Sequence, residues 1–195
     1  MSGYTIPNVI GRHPRGERIM DVYSQLLTER VIYLGTAVDA GVANVLVAQL
    51  LHLEADNPDR DVQLYINCEG GDPSAMLAVY DTMRYIKPAV ATTCVGQAVA
   101  VGAVLLAAGA PGKRAALPHA RVVLHQPAAQ GRGAIPDLIL QADEVVRVRA
   151  DIEEILAEHT GQTVERLRAD TDHDRVFTAS DARAYGLVDV VMPPR

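Results

Sequence analysis

Apolar positions along this chain switch repeatedly between helical spacing and short unbroken runs, and the switches mark out its elements. Ile19, Val22, Leu26 and Leu27 recur at helical spacing over Arg18–Glu29. Val31–Gly35 is a short apolar run of the kind a buried strand makes. A helix is predicted over Asp39–Ala55, a strand over Val62–Asn67, a helix over Pro73–Ile86 and a β-branched strand over Val90–Val95. A small-residue helix over Gly102–Ala110 and a strand over Arg121–Gln126 continue the alternation. This β–α–β–α order predicts parallel strands joined by helical crossovers, an α/β fold. Ahead of it, Met1–Glu17 is polar and carries Gly3, Pro7, Gly11, Pro14 and Gly16, so it reads as a mobile arm.

The segment Ile135–His159 has a different character. It is one helical pattern, roughly 37 Å long at 1.5 Å per residue, whereas a domain of this length has a radius of gyration of only about 16 Å. Leu138, Ala142, Val145, Ile152 and Leu156 form an apolar stripe, with Asp143, Glu144, Arg149 and Asp151 largely on other faces. Such a helix either lies across its own sheet or projects and buries its stripe against another subunit. Thr178–Asp181 resembles a capping box opening a short helix, and Val188–Met192 is a closing strand.

Composition narrows the class. With 195 residues, 49% hydrophobic and 22% charged, the chain is expected to form one globular domain. Seven Tyr, one Phe and no Trp leave the core to aliphatic side chains. A net charge of −6 and so few aromatics argue against nucleic acid as a partner, which needs a basic face and stacking rings. Cys68 and Cys94 are too few for a disulfide framework and fit a reducing cytoplasm. Neither a membrane-length apolar run nor a signal-peptide pattern is present, so a cytoplasmic protein without a membrane partner is expected.

Local motifs leave the chemistry open. Gly109–Arg114 superficially resembles a phosphate loop, but Ala107 and Arg114 stand where that motif needs Gly and a hydroxyl, so a turn before a strand is expected. Asp170, Asp172 and Asp174 suggest a calcium loop, yet Arg175 and Asp181 occupy the positions of its essential Gly and Glu, and no metal is expected. Gly96–Gly102 is the best elbow in the chain, with small residues that allow a sharp turn from strand into helix. None of the four serines, Ser2, Ser24, Ser74 and Ser180, lies in it. His125 at the end of an apolar strand is a candidate base or a structural histidine. Cys68, before Glu69-Gly70-Gly71, is a candidate thiol nucleophile or an inert buried residue.

A longer set of motifs resembles one family. Gly96-Gln97-Ala98 with Gly102, then Leu105–Gly109, Gly112–Arg114, Leu117-Pro118, Ala120–Val122 and His125–Pro127, are similar to ClpP, the proteolytic-subunit family of the Clp protease. The resemblance continues upstream in Arg15–Arg18, Glu29-Arg30, Ala48–Leu50, Tyr65–Asn67, Gly70-Gly71, Tyr80–Met83 and Ile86–Pro88. Downstream it takes in His159–Gln162, Asp170–Asp172, Asp174 and Tyr185–Leu187. It implies a ClpP/crotonase-like fold of repeated βαβ units with a projecting handle helix. An N-terminal axial arm over residues 1–17 would precede a single peptidase domain over 18–195, with the handle at 127–159.

The resemblance also implies a Ser-His-Asp peptidase, with the triad falling on Ala100, His125 and Asp174 and the oxyanion hole on the backbone N–H groups of Gly71 and Val101. Ala100 stands at the nucleophile position, and a methyl group cannot attack a carbonyl. The chain as written is therefore expected to form no acyl-enzyme, through natural degeneration or an engineered change; retention of His125 and Asp174 favours a recent or engineered loss. The family pattern further differs at Val99, Val101, Cys68-Glu69, Pro73, Ala129-Gln130 and His173. Tyr65 and Tyr85 match a hydrophobic docking surface for a Clp-family AAA+ ATPase. That partner would consume ATP and feed unfolded polypeptide into a homo- or hetero-oligomeric chamber of heptameric rings, a tetradecamer; this chain itself carries no cofactor. Two other readings stand beside this one: a non-catalytic ring subunit pairing with an active paralogue, and a crotonase-type acyl-CoA enzyme.

Overall fold

In the computed structural model, which describes residues 5–13, 16–126 and 134–193, strands Asn8–His13 (β1) and Gly16–Asp21 (β2) pair antiparallel, with Ile10 opposite Ile19. The segment read as an arm therefore contains β1 and the start of the strand that pairs with it. The first helix is correspondingly shorter than its spacing predicts and spans Val22–Thr28 (α1). Ile19 and Met20 are taken by the strand, and Asp21 caps the helix by accepting the Ser24 N–H at 3.0 Å.

The alternation that follows agrees with the apolar pattern. Val31–Leu34 (β3), Ala40–Asp56 (α2), Val62–Cys68 (β4), Pro73–Tyr85 (α3), Val90–Val99 (β5), Val101–Ala107 (α4), Arg114–Ala116 (β6) and Arg121–Leu124 (β7) succeed one another. They are followed by Ile135–Thr160 (α5), Val164–Asp170 (α6), Arg175–Thr178 (β8), Ala179–Tyr185 (α7) and Val190–Val191 (β9). Strands β3, β4, β5, β6 and β9 lie side by side and parallel. The long β5 serves two partners: Thr92–Cys94 pairs with β6, and Gln97–Val99 pairs with β7. One departure from the all-parallel expectation is β8, which runs antiparallel to β7 with Leu124 opposite Arg175. A ladder this short, with only Phe177 of β8 buried, leaves little periodic signal in the sequence.

Buried aliphatic residues of β4, β5, α2, α3 and α4 form one continuous core. Every residue of α4 is buried, which explains its Gly, Ala, Val and Leu composition. The Gly-Lys-Arg turn is structural. Lys113 pairs with Asp61 at 2.5 Å, and Arg114 starts β6 rather than cradling a phosphate. The long helix α5 divides in two. Val148, Ile152 and Leu156 are buried on the body, whereas Ile135, Ile139, Leu140 and Val146 are exposed. Of the predicted stripe, Ile152 and Leu156 are buried on the body, Leu138 and Val145 are half-buried and Ala142 is exposed, so it packs fully only over its second half. Among the described residues no helix is long and apolar enough to cross a membrane.

Candidate active site

The elbow begins where β5 ends. Ala100 has φ 48° and ψ −109°, a positive φ that a residue with a Cβ adopts at a cost of about 1–3 kcal/mol. Its N–H donates to the Val123 carbonyl at 2.8 Å, and its carbonyl accepts from Ala103 and Val104. Gly102 is required two residues on: a Cβ there would lie 2.9 Å from the Cβ of Cys68. Small residues therefore let the chain turn sharply and present the side chain of residue 100 to a cavity.

Gly70 and Gly71 follow β4 with φ of 125° and 142°. A Cβ on Gly71 would sit 2.3 Å from the Val38 carbonyl oxygen, so only glycine fits against that backbone. Val38 bonds on either side of it, donating to Gly70 and accepting from Asp72. The N–H of Gly71 is thereby left over. Among the described residues neither it nor the N–H of Val101 has a hydrogen-bond partner, and both residues line the same cavity of about 120 Å³. Two free amides beside the side chain of residue 100 are what an acyl oxyanion requires.

The cavity also receives His125, one residue beyond the end of β7. Its Nδ1 lies 3.8 Å from Asp174 Oδ1, an ion-pair separation longer than a hydrogen bond. The His125 side chain is 37% exposed and that of Asp174 77%. Val104, Leu124, Ile152 and Leu156 make the apolar part of the wall. Pro73 lines it too, as the first residue of α3, where its missing N–H costs the helix nothing.

The structure thus brings Gly71, Ala100, Val101 and His125 to one cavity, with Asp174 behind the histidine. Tyr65 and Tyr85 lie elsewhere. Tyr65 is half-buried on β4 opposite Tyr33, and Tyr85 is 80% exposed at the end of α3. Cys68 is buried, its thiol donates to the Gly70 carbonyl at 3.2 Å, and burial pushes its pKa up, the environment of an inert rather than an activated thiol. Asp170 is engaged by Arg175 and by the Tyr185 hydroxyl at 2.7 Å. His173 is exposed. Ala129-Gln130 and the arm residues 1–4 and 14–15 lie outside the described residues.

One group at the cavity escapes the reading of the apolar pattern. Arg149, expected on a polar face of α5, lines the cavity together with Glu153 and Gln126. Glu153 is 3% exposed although it carries a charge. Its place between Ile152 and Leu156, four residues after Arg149, is the sequence signal that could have found it.

The Clp protease family profile matches residues 14–195. The chain is 69% identical over 196 residues, spanning all of both proteins, to the ATP-dependent Clp protease proteolytic subunit 1 of Nocardia farcinica. It is 59% identical over 192 residues to proteolytic subunit 4 of Rhodococcus jostii, covering 98% of this chain and 99% of that protein. Against proteolytic subunit 2 of Streptomyces avermitilis the identity is 54% over 196 residues, covering 100% and 98%.

Proposed function

The chain belongs to the Clp protease family, and from that premise we propose that it is a proteolytic subunit of an ATP-dependent Clp protease whose serine-peptidase site stands complete except for its nucleophile. The observation that carries this reading is the strained elbow at Ala100. It faces a cavity that also holds His125 and two amides without a partner among the described residues, with Asp174 alongside. In the proposed chemistry a hydroxyl at position 100 loses its proton to His125 Nε2 as it attacks a peptide carbonyl. Asp174 orients the ring through Nδ1 and stabilises the imidazolium, and the N–H groups of Gly71 and Val101 hold the developing oxyanion. With Ala100 in place, substrate is held but no acyl-enzyme forms.

The names of the relatives support an ATP-dependent assembly. In the proposed setting a cytoplasmic Clp-family ATPase docks through Tyr65 and Tyr85, spends the ATP, and feeds unfolded polypeptide past the N-terminal arm into a chamber of heptameric rings. The exposed apolar half of α5 supports burial against another subunit. The test is the Ala100→Ser variant with a fluorogenic peptide: hydrolysis by the variant and none by the unmodified chain is the expected result. Hydrolysis by the unmodified chain would mean that another group attacks.

Ala100 itself favours a second reading, a non-catalytic subunit that pairs with an active paralogue. Native mass separates the two. A stable homo-oligomer argues against an obligate regulatory role, and assembly only after mixing with an active relative supports it.

A further inference from the structure

Among the described residues Glu153 is the one buried acid, and it lies outside the triad. Its Oε1 accepts from Arg149 Nε at 2.7 Å, and its Oε2 accepts from Arg168 Nη2 at 2.8 Å and Nε at 3.1 Å. Arg149 then donates from Nη1 to Gln126 Oε1 at 2.8 Å, and Gln126 Nε2 donates to the Asp172 carbonyl at 3.3 Å. A single chain of bonds therefore runs from α6 through α5 to the residue after His125, and from there to the residue two before Asp174.

Its position relative to the β7–β8 ladder gives the chain its meaning. The last backbone pair of that ladder is Leu124 with Arg175. His125 and Asp174 occupy the next places, where backbone pairing has stopped. The Gln126–Asp172 bond closes the loop just beyond them, so the two triad residues are bracketed between a strand pair and a side-chain tie. They have little hold of their own, since their separation is 3.8 Å and Asp174 is largely exposed.

Burying a carboxylate costs several kcal/mol before its partners offset it, and an apolar side chain of similar volume would serve packing as well. Burial pushes the Glu153 pKa up, but hydrogen bonds and charge from Arg168 and Arg149 outweigh it and hold the group below the usual carboxylate range. The arginine is better suited than a lysine to this task, because its planar fork reaches Glu153 with one nitrogen and Gln126 with another.

We propose that Glu153 is a positioning residue of the peptidase site, fixing Gln126 through Arg149 so that His125 and Asp174 stay in register. The inference rests on the reading of this cavity as a peptidase site. It adds to that reading a group that acts through two others.

The test uses the full chain. The rate at which diethylpyrocarbonate acylates His125 at one fixed pH, followed by peptide mapping, reports how that ring is held without any nucleophile at position 100, and the exposed His119 is the internal control. Gln126→Ala, which removes no charge, and Glu153→Gln each change the His125 rate about threefold or more and leave the His119 rate alone. In an Ala100→Ser background the same two substitutions lower kcat about tenfold or more with KM within about twofold. A His125 rate unmoved by Gln126→Ala overturns the proposal, and does so even if Glu153→Gln fails to fold. Absence of hydrolysis by Ala100→Ser overturns the peptidase reading instead, while the acylation rate still decides the tie.

Discussion

The backbone N–H of Ala100 donates to the carbonyl of Val123 at 2.8 Å, which fastens the elbow to the strand that delivers His125. The placing of residue 100 beside His125 is thus supported by a backbone bond that does not depend on which side chain residue 100 carries. On the proposed function, a hydroxyl introduced at residue 100 should therefore find the scaffold standing.

Ala100→Gly tests whether the elbow is strained. Glycine takes φ 48° without the Cβ penalty, at the expense of a more flexible unfolded chain. The expected outcome is a variant equal in stability or more stable by about 1 kcal/mol, read from urea midpoints. Destabilisation well beyond 1 kcal/mol would show that the elbow stores no strain.

Gly71→Ala and Gly102→Ala should differ in severity. A Cβ at residue 71 meets Val38 backbone atoms at 2.3–2.8 Å and keeps a φ of 142°, whereas one at residue 102 meets the Cys68 side chain at 2.9 Å. Overpacking costs about 1–3 kcal/mol, and more where backbone must move. Gly71→Ala is therefore the more damaging, and Cys68→Gly should restore stability to Gly102→Ala alone. Equal losses in thermal unfolding would contradict this.

Arg114 is a buried junction. Its guanidinium forks onto Asp189 at 2.6 and 3.0 Å and also donates to the His159 carbonyl at 2.7 Å. Arg114→Ala leaves a mostly buried carboxylate without its partner and should cost about 3 kcal/mol or more. Arg114→Ala combined with Asp189→Ala should recover part of that loss, a coupling measured by a double-mutant cycle.

Acid should weaken the fold in two stages. Burial holds His159 below its ordinary value of 6.5, with Arg84 and Arg114 adding to the effect and Glu158 opposing it. The unfolded chain therefore binds this proton first, so stability is full above about 6.5 and falls as pH drops towards the lowered native value. Asp189, held down chiefly by its hydrogen bond from Arg114, adds a second loss as pH falls below its ordinary 3.8 towards its native value. His159→Gln should flatten the first stage and leave the second, in unfolding curves taken from pH 7 to pH 3. A first stage that persists in this variant would assign it to another group.

The exposed start of α5 predicts a change in assembly without a change in the subunit. Replacing Ile139 and Leu140, which are 57% and 68% exposed, by Lys should lower the native mass. The secondary structure should be retained by circular dichroism. An unchanged mass would mean that this half of the helix covers nothing.

Much of the fold was legible because its signals are local. Core strands such as Val62–Cys68 and the helices capped by Asp39 and Asp72 carry their periodicity and their stop signals in a few adjacent residues. The pairing of Asn8–His13 with Gly16–Asp21 was not, since Ile19 and Met20 fit a helix equally well until the partner strand is known. Nor was β8, whose pairing with β7 joins residues about 50 positions apart in sequence.

The site divides along the same line. By itself the sequence determined the α/β alternation, the elbow of small residues, the family, and the absence of a hydroxyl at Ala100. Those follow from the order and size of neighbouring side chains. Only the tertiary structure decided that the amides of Gly71 and Val101 have no partner among the described residues and share a cavity with His125. It alone took Arg149 from a polar helix face and joined it to Glu153 and Gln126. Periodicity reports which face of an element is buried, while hydrogen-bond partners and free donors are fixed by where the ends of different strands meet.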